Sequence, residues 1–376
     1  MLRTLCLLFF CCLLLWAGSL PVLGAASDAR YKVALRTVGI SQPARALRMD
    51  INVWYPGIRP QRALDYPPWT LYATRNGKAV AGRFPLILLS HASPATRFSY
   101  HDTAAWLASC GFVVAAPTHN GDCLHDMSLR FTWQQLLSRS VELSAVIDAL
   151  LNDADLTQSI DPQRIGLLGY GAGGTAALLL GGALPACTDW PQWCAQTDPQ
   201  DEYCNHWGRE RITALCRSLP LRHSLADPRI RAIAAVSPGF GMLFGPESFR
   251  YFYPPLLLIG GGKDRANPPA LHSRAIANHL REKARYINLP DADQGALMAP
   301  CPADLFRELP ELCRPISRET RQKVHQTLQN ALADFFLYYL GSTMHLPQIP
   351  EPPEAPAWQP PAADPPSPTR QGRRRP

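Results

Sequence analysis

Residues 164–178, RIGLLGYGAGGTAAL, lead an apolar stretch into a glycine cluster and on into an Ala/Leu-rich stretch, and two incompatible chemistries fit them. Spaced as G-x-S-x-G, the run is Gly169-Tyr170-Gly171-Ala172-Gly173, a nucleophile elbow in which a strand turns sharply into a helix. Glycine then stands where the attacking serine belongs. Spaced as G-x-G-x-x-G, the run is Gly169, Gly171 and Gly174, which would let backbone close on a pyrophosphate. A tight turn with no chemistry is the third reading.

The rest of the chain separates these readings. A dinucleotide fingerprint opens its domain and is followed, about 20 residues on, by a strand ending in Asp or Glu for the ribose. Here Asp189 falls in Cys187-Thr188-Asp189-Trp190-Pro191, where no strand is expected, and the glycines come after at least two buried strands. The elbow reading finds its other parts. An early loop, Ser90-His91-Ala92-Ser93, is placed to supply an oxyanion-hole N–H together with that of Ala172. The stretch LLLIGGGKD ends in Asp264 as the acid. No histidine lies between Leu289 and Cys301, where a general base would follow the next strand, and that run contains Gln294 instead.

These residues need a scaffold of alternating strands and helices. Residues 31–40 and 47–55 alternate apolar and polar, as half-buried strands do, and 56–82 reads as a Pro/Gly-bearing loop. Apolar runs at 85–89 and 112–116 predict buried strands around a helix at 101–109. An amphipathic pattern over 131–151, with Leu136, Leu143, Val146, Ile147 and Leu150 on one side, predicts a long helix before the elbow. After the elbow helix, 185–228 is rich in Cys, Trp, Asp and Arg and reads as an inserted cap. Strands at 230–236, 255–259 and 285–289 and helices at 269–281 and 318–340 then resume the rhythm. The expected class is α/β, a mostly parallel central sheet flanked by helices.

Composition narrows the function classes. The chain has 376 residues, 47% of them hydrophobic, with a formal charge of +7. The basic residues are scattered apart from Arg373, Arg374 and Arg375, so no basic stripe points to nucleic acid. Arg3, the apolar run 5–16 and the small residues Gly24, Ala25 and Ala26 read as a cleaved signal peptide over 1–25, and the run is short for a membrane span. The eight cysteines beyond it are expected to form disulfides in a secreted or periplasmic compartment, with Cys194–Cys204 and Cys301–Cys313 as local pairings. Their spacing offers no C-x-x-C pair, so no metal or other cofactor is expected. The expected domain runs over 26–346, and the proline-rich remainder, 347–376, reads as an extended tail that could meet a protein partner.

Four stretches resemble the bacterial dienelactone-hydrolase-like proteins related to platelet-activating-factor acetylhydrolases, a branch of the α/β-hydrolases. They are FPLILLSHAS with FVVAAPTHNG, IDPQRIGLLGYGAGGTAAL, LLLIGGGKDRANPP, and LPDADQGALMAPCPADL with the following ELC. The resemblance implies that the family's serine falls on Gly171, its acid on Asp264 and its histidine on Gln294, and that Ala92 replaces an oxyanion-loop glycine. Glycine has no atom with which to attack an acyl carbon. An amide is no useful base, although Gln294 could still hydrogen-bond Asp264. The expectation is a degenerate hydrolase whose cleft keeps an ester- or lipid-like ligand. One alternative is an active ester hydrolase using Ser93 or Cys123 with His91, His119 or His125. Another is an interaction protein acting through the cap, with Trp190, Trp193 and Trp207, and through the tail.

Overall fold

The computed structural model describes residues 30–42, 47–187, 190–199, 201–218, 224–308, 310, 313 and 316–341. The signal-like segment and the proline-rich tail lie outside them. The strands are β1 (Lys32–Gln42), β2 (Leu47–Gly57), β3 (Arg62–Tyr66), β4 (Trp69–Arg75), β5 (Phe84–Ser90), β6 (Val113–Pro117), β7 (Ile160–Tyr170), β8 (Ile230–Val236), β9 (Leu256–Gly261) and β10 (Ala284–Leu289). The helices are α1 (His101–Ser109), α2 (Trp133–Asn152), α3 (Ala172–Leu180), α4 (Trp190–Ala195), α5 (His206–Ser218), α6 (Ser273–Leu280), α7 (Gln294–Leu297), α8 (Ala303–Glu308) and α9 (Arg318–Leu340).

All ten strands join one sheet, ordered β10-β9-β8-β7-β5-β6-β2-β1-β4-β3. From β10 to β6 every pairing is parallel, as crossover helices require; β2 meets β6 and β1 antiparallel. The strands β6 and β9 are buried throughout and β5 from Pro85 onward, which is why they read as unbroken apolar runs. Two apolar layers cover the sheet. One holds Leu136, Leu143, Val146 and Ile147 of α2, Leu178 of α3 and Ile276 of α6; the other holds Leu107 of α1 and Leu328, Leu332 and Phe336 of α9. Thr132 caps α2 by accepting from the Gln135 N–H, and Ser317 caps α9 by accepting from the Thr320 N–H.

Three expectations change. Residues 56–82 are not a plain loop: β3 and β4 form a hairpin whose Leu64, Trp69 and Leu71 are buried and whose second strand pairs parallel to β1. The signal was present in the alternation of RALDY and WTLYATR, but Pro60, Pro67 and Pro68 masked it because all three fall outside the strands. The helix expected from residue 269 begins at Ser273, because Pro268 and Pro269 first make a turn whose carbonyls accept from the Leu271 and His272 N–H groups. The third concerns cysteine. Cys194–Cys204 and Cys301–Cys313 form as expected and Cys187–Cys216 is the third bridge, whereas Cys110 and Cys123 are buried thiols outside these pairs. Among the described residues no helix is long and apolar enough to cross a membrane.

Between α3 and β8 the chain leaves the sheet to form α4 and α5. Cys187–Cys216 and Cys194–Cys204 tie the two together. This disulfide-held insertion brings Tyr203 over the strand ends, where it packs on Phe131 and Phe240.

Candidate functional site

The site is built on the turn between β7 and α3. Gly171 has φ +52° and ψ −119°, a conformation open to glycine and costly for other residues. Its N–H donates to the Val236 carbonyl, and its own carbonyl accepts from the Thr175 and Gly239 N–H groups, so the turn is fixed from both sides. A Cβ on Gly171 would stand 3.0 Å from Ala92 Cβ and 3.9 Å from Asn267 Nδ2. Gly169 and Gly173 answer a different need. A Cβ on Gly169 would lie 2.1 Å from the Gly173 carbonyl oxygen, and one on Gly173 would lie 2.2 Å from that of Ser90. The glycine spacing is therefore the consequence of a helix packed hard against two strand ends.

Above the turn is a cavity of about 720 Å³. Gly171, Ala172, Ser93, Asp264, Gln294 and Tyr203 all line it, so residues far apart in sequence meet where the elbow reading requires them. Asp264 follows β9 and is 3% exposed. Its Oδ1 accepts from the Ala266 and Asn267 N–H groups, both at 3.0 Å. Burial raises its carboxyl above the ordinary value, against the lowering effect of those bonds and of the Ser237 hydroxyl, and the Asp293 charge adds to the rise. Its Oδ2 is buried without a hydrogen-bond partner among the described residues. The bond that Gln294 was expected to make with it does not form. Gln294 instead opens α7, where Asp293 caps the turn by accepting from the Ala296 N–H at 2.7 Å.

Of the residues of the displaced-residue alternative, Ser93, His91 and His119 are each engaged in specific bonds. Ser93 Oγ donates to Asp122 Oδ1 at 2.5 Å and approaches the Met127 sulfur, so its partner is a carboxylate. His91 is fully buried, with Nδ1 2.7 Å from the Ala92 carbonyl and Nε2 accepting from the His119 N–H. Burial, then the Arg139 charge, then His119 push its pKa well below the ordinary value. His119 is also fully buried and lies between two partners, Ser90 Oγ at 2.8 Å from Nε2 and Glu142 Oε2 at 2.6 Å from Nδ1. Burial lowers the His119 pKa well below its usual value and raises that of Glu142 to about 8. His119 therefore links Ser90 to Glu142 through its two ring nitrogens. The Ser90 side chain is sealed from solvent as well.

This chain of bonds continues into a buried ion pair. Arg139 Nε donates to Asp122 Oδ2 at 2.7 Å, its Nη1 to the His91 carbonyl at 2.5 Å, and its Nη2 to the Asp122 carbonyl at 3.1 Å. Gln135 Nε2 also donates to Asp122 Oδ2. The network thus braces the loop that carries His91, Ala92 and Ser93. Sequence reasoning missed Ser90, Asp122, Gln135, Arg139 and Glu142 as a set. The usable signal was Gln135, Arg139 and Glu142, polar residues recurring on the helix side that also carries Leu136 and Leu143.

The mostly parallel ten-stranded sheet flanked by helices, with its strand-turn-helix at Gly171, is a hydrolase-like α/β fold. Among solved structures the chain is similar to a ferulic acid esterase from Streptomyces cinnamoneus, with a TM-score of 0.57 and 16% identity over 88% of this chain and 96% of that one. No protein-family model matches the sequence, and neither does any curated protein. At this identity the likeness speaks for the fold alone.

Proposed function

We propose that this chain is an exported α/β-hydrolase-fold protein that binds an ester- or lipid-like ligand in the cleft over Gly171 and does not hydrolyse it. The observation that carries the reading is the apex of the elbow: the backbone keeps the nucleophile conformation, and the residue there has no side chain. Gln294 at the histidine position removes the base as well. The three disulfides accord with an oxidising compartment, as the signal-like N-terminus does.

The test treats the purified protein with a fluorophosphonate probe and a short-chain aryl ester. No covalent labelling and no turnover above buffer are expected. Stoichiometric labelling of one serine, with Ser90 and Ser93 the first to inspect by peptide mapping, overturns the reading in favour of a working hydrolase with displaced residues.

A further inference from the structure

Two residues of the cleft carry a buried polar atom with no hydrogen-bond partner among the described residues, Asp264 at Oδ2 and Arg130 at Nε, and Arg130 already meets the Glu202 carboxylate. A carboxylate this deeply buried normally has every oxygen engaged, because an unmet charge in a low-dielectric site is costly. Oδ1 meets that rule with two backbone N–H groups; the Ser237 hydroxyl acts on the same carboxylate, yet Oδ2 has no hydrogen bond of normal geometry among the described residues. The residue at the position of a histidine partner, Gln294, is turned into its own short helix.

The surrounding charge is also one-sided at this point. Glu202 and Asp293 both raise the electrostatic cost of a second negative group near Asp264. Two of the cations at the cavity are already matched, Arg130 with Glu202 and Lys263 with Asp291, and Arg265 is exposed. Opposite stands an aromatic wall. Phe131 stacks on Tyr203 at 4.9 Å between centroids, and Phe240 meets both rings edge-on. Tyr203 Oη donates to Asn267 Oδ1 at 3.0 Å, which fixes the wall to the same loop that holds Asp264.

We propose that the cavity takes the protonated nitrogen of an organic amine, with Asp264 Oδ2 accepting its N–H and the Phe131, Tyr203 and Phe240 wall receiving its apolar body. This rests on the reading of the cleft as a site of binding without turnover and narrows its ester- or lipid-like ligand to one that carries an ammonium group. An ammonium supplies the N–H donor that Oδ2 lacks and the positive charge that a carboxylate among carboxylates favours. The aromatic faces add the attraction that cations and apolar groups both find there. A carboxylate or phosphate ligand would meet Asp264 and Asp293 with like charge.

The experiment is calorimetric titration of the full chain with benzylammonium, and in parallel with benzyl alcohol and benzoate. Benzylammonium should bind, with the alcohol and benzoate at least about tenfold weaker, as for loss of a charge-assisted hydrogen bond. Asp264→Asn should weaken the amine by a similar factor. Gln294→His offers Oδ2 an imidazole in place of the ligand and should also weaken it, which keeps the test open if Asp264→Asn does not fold. Equal binding of the alcohol, tighter binding of benzoate, or an unchanged amine affinity in the folded variants overturns the proposal. Ester turnover by the parent protein would sink the reading of the cleft while leaving the amine affinities as a separate result.

Discussion

Ala92 and Gly171 approach each other so closely that a Cβ on the glycine would stand 3.0 Å from the alanine methyl. The loop after β5 and the turn after β7 therefore share one volume, and a side chain gained at Gly171 requires Ala92 to give by a few tenths of an ångström. Gly171→Ser alone should destabilise the protein by about 1–3 kcal/mol, from the positive φ and the methyl contact together. Adding Ala92→Gly should recover part of that, giving a coupling on the order of 1 kcal/mol in a double-mutant cycle read by urea unfolding. Strictly additive values would show that the two positions do not compete.

The same contact governs any attempt to install activity. Gly171→Ser with Gln294→His supplies a nucleophile and a base, yet Ala92 would crowd the new serine. The triple variant that also carries Ala92→Gly should show aryl-ester turnover above the double variant. Equal rates in the two would mean that Ala92 does not limit the site.

How much of this was legible beforehand differs by element. The strands β5 and β9, the second half of β7 from Ile165 and β8 from Ala232 are apolar and almost wholly buried, so their runs stood out, and with them the elbow and Asp264. The β3–β4 hairpin was hidden by prolines that sit only in its flanks. The polar network under the cleft was hidden for another reason. Ser90, Asp122, Arg139 and Glu142 span more than 50 positions and become neighbours only through the order of β5, β6 and β7, which no local pattern encodes. The orphaned Oδ2 of Asp264 depends in turn on where Gln294 points, and a motif match says nothing about that.

Breaking the buried pair should be expensive. Asp122 is held at about 2: burial alone would raise it, and the Arg139 charge with hydrogen bonds from Ser93, Gln135 and Arg139 outweighs that. A carboxyl depressed in the folded state adds stability above its unfolded value near 4 and loses it as pH falls towards 2. Arg139→Met should cost about 3–5 kcal/mol at neutral pH by leaving Asp122 unpaired, and it should flatten the loss of stability between pH 4 and 2. Urea unfolding across that range measures both, and a variant as acid-sensitive as the parent would refute the assignment.

A second pair acts in the opposite direction. His325 Nδ1 lies 2.8 Å from Asp102 Oδ2, and His325 Nε2 lies 3.0 Å from the Met298 carbonyl, just beyond α7 with Gln294. Burial works to lower the His325 pKa, but the hydrogen bond and charge of Asp102 raise it overall. A histidine raised on folding contributes stability below its unfolded value near 6.5 and loses it as pH rises through the folded value. Stability should thus decline on the alkaline side of pH 6.5. His325→Gln should remove that decline, and an identical decline in the variant would exclude His325 as its source.

The cap should matter to the cleft more than to the sheet. Cys187–Cys216 closes 29 residues of chain, which in the chain-entropy account is worth about 3–4 kcal/mol. What it holds in place is α4 and α5 with Glu202 and Tyr203 between them, two residues of the cavity wall. The sheet and its covering helices lie outside the closed loop. Cys187→Ala with Cys216→Ala should therefore expose Tyr203, seen as faster hydrogen exchange over 190–218, while exchange in β5 to β9 stays slow. Uniform acceleration across the sheet would show that the cap is part of the core and not a cover on it.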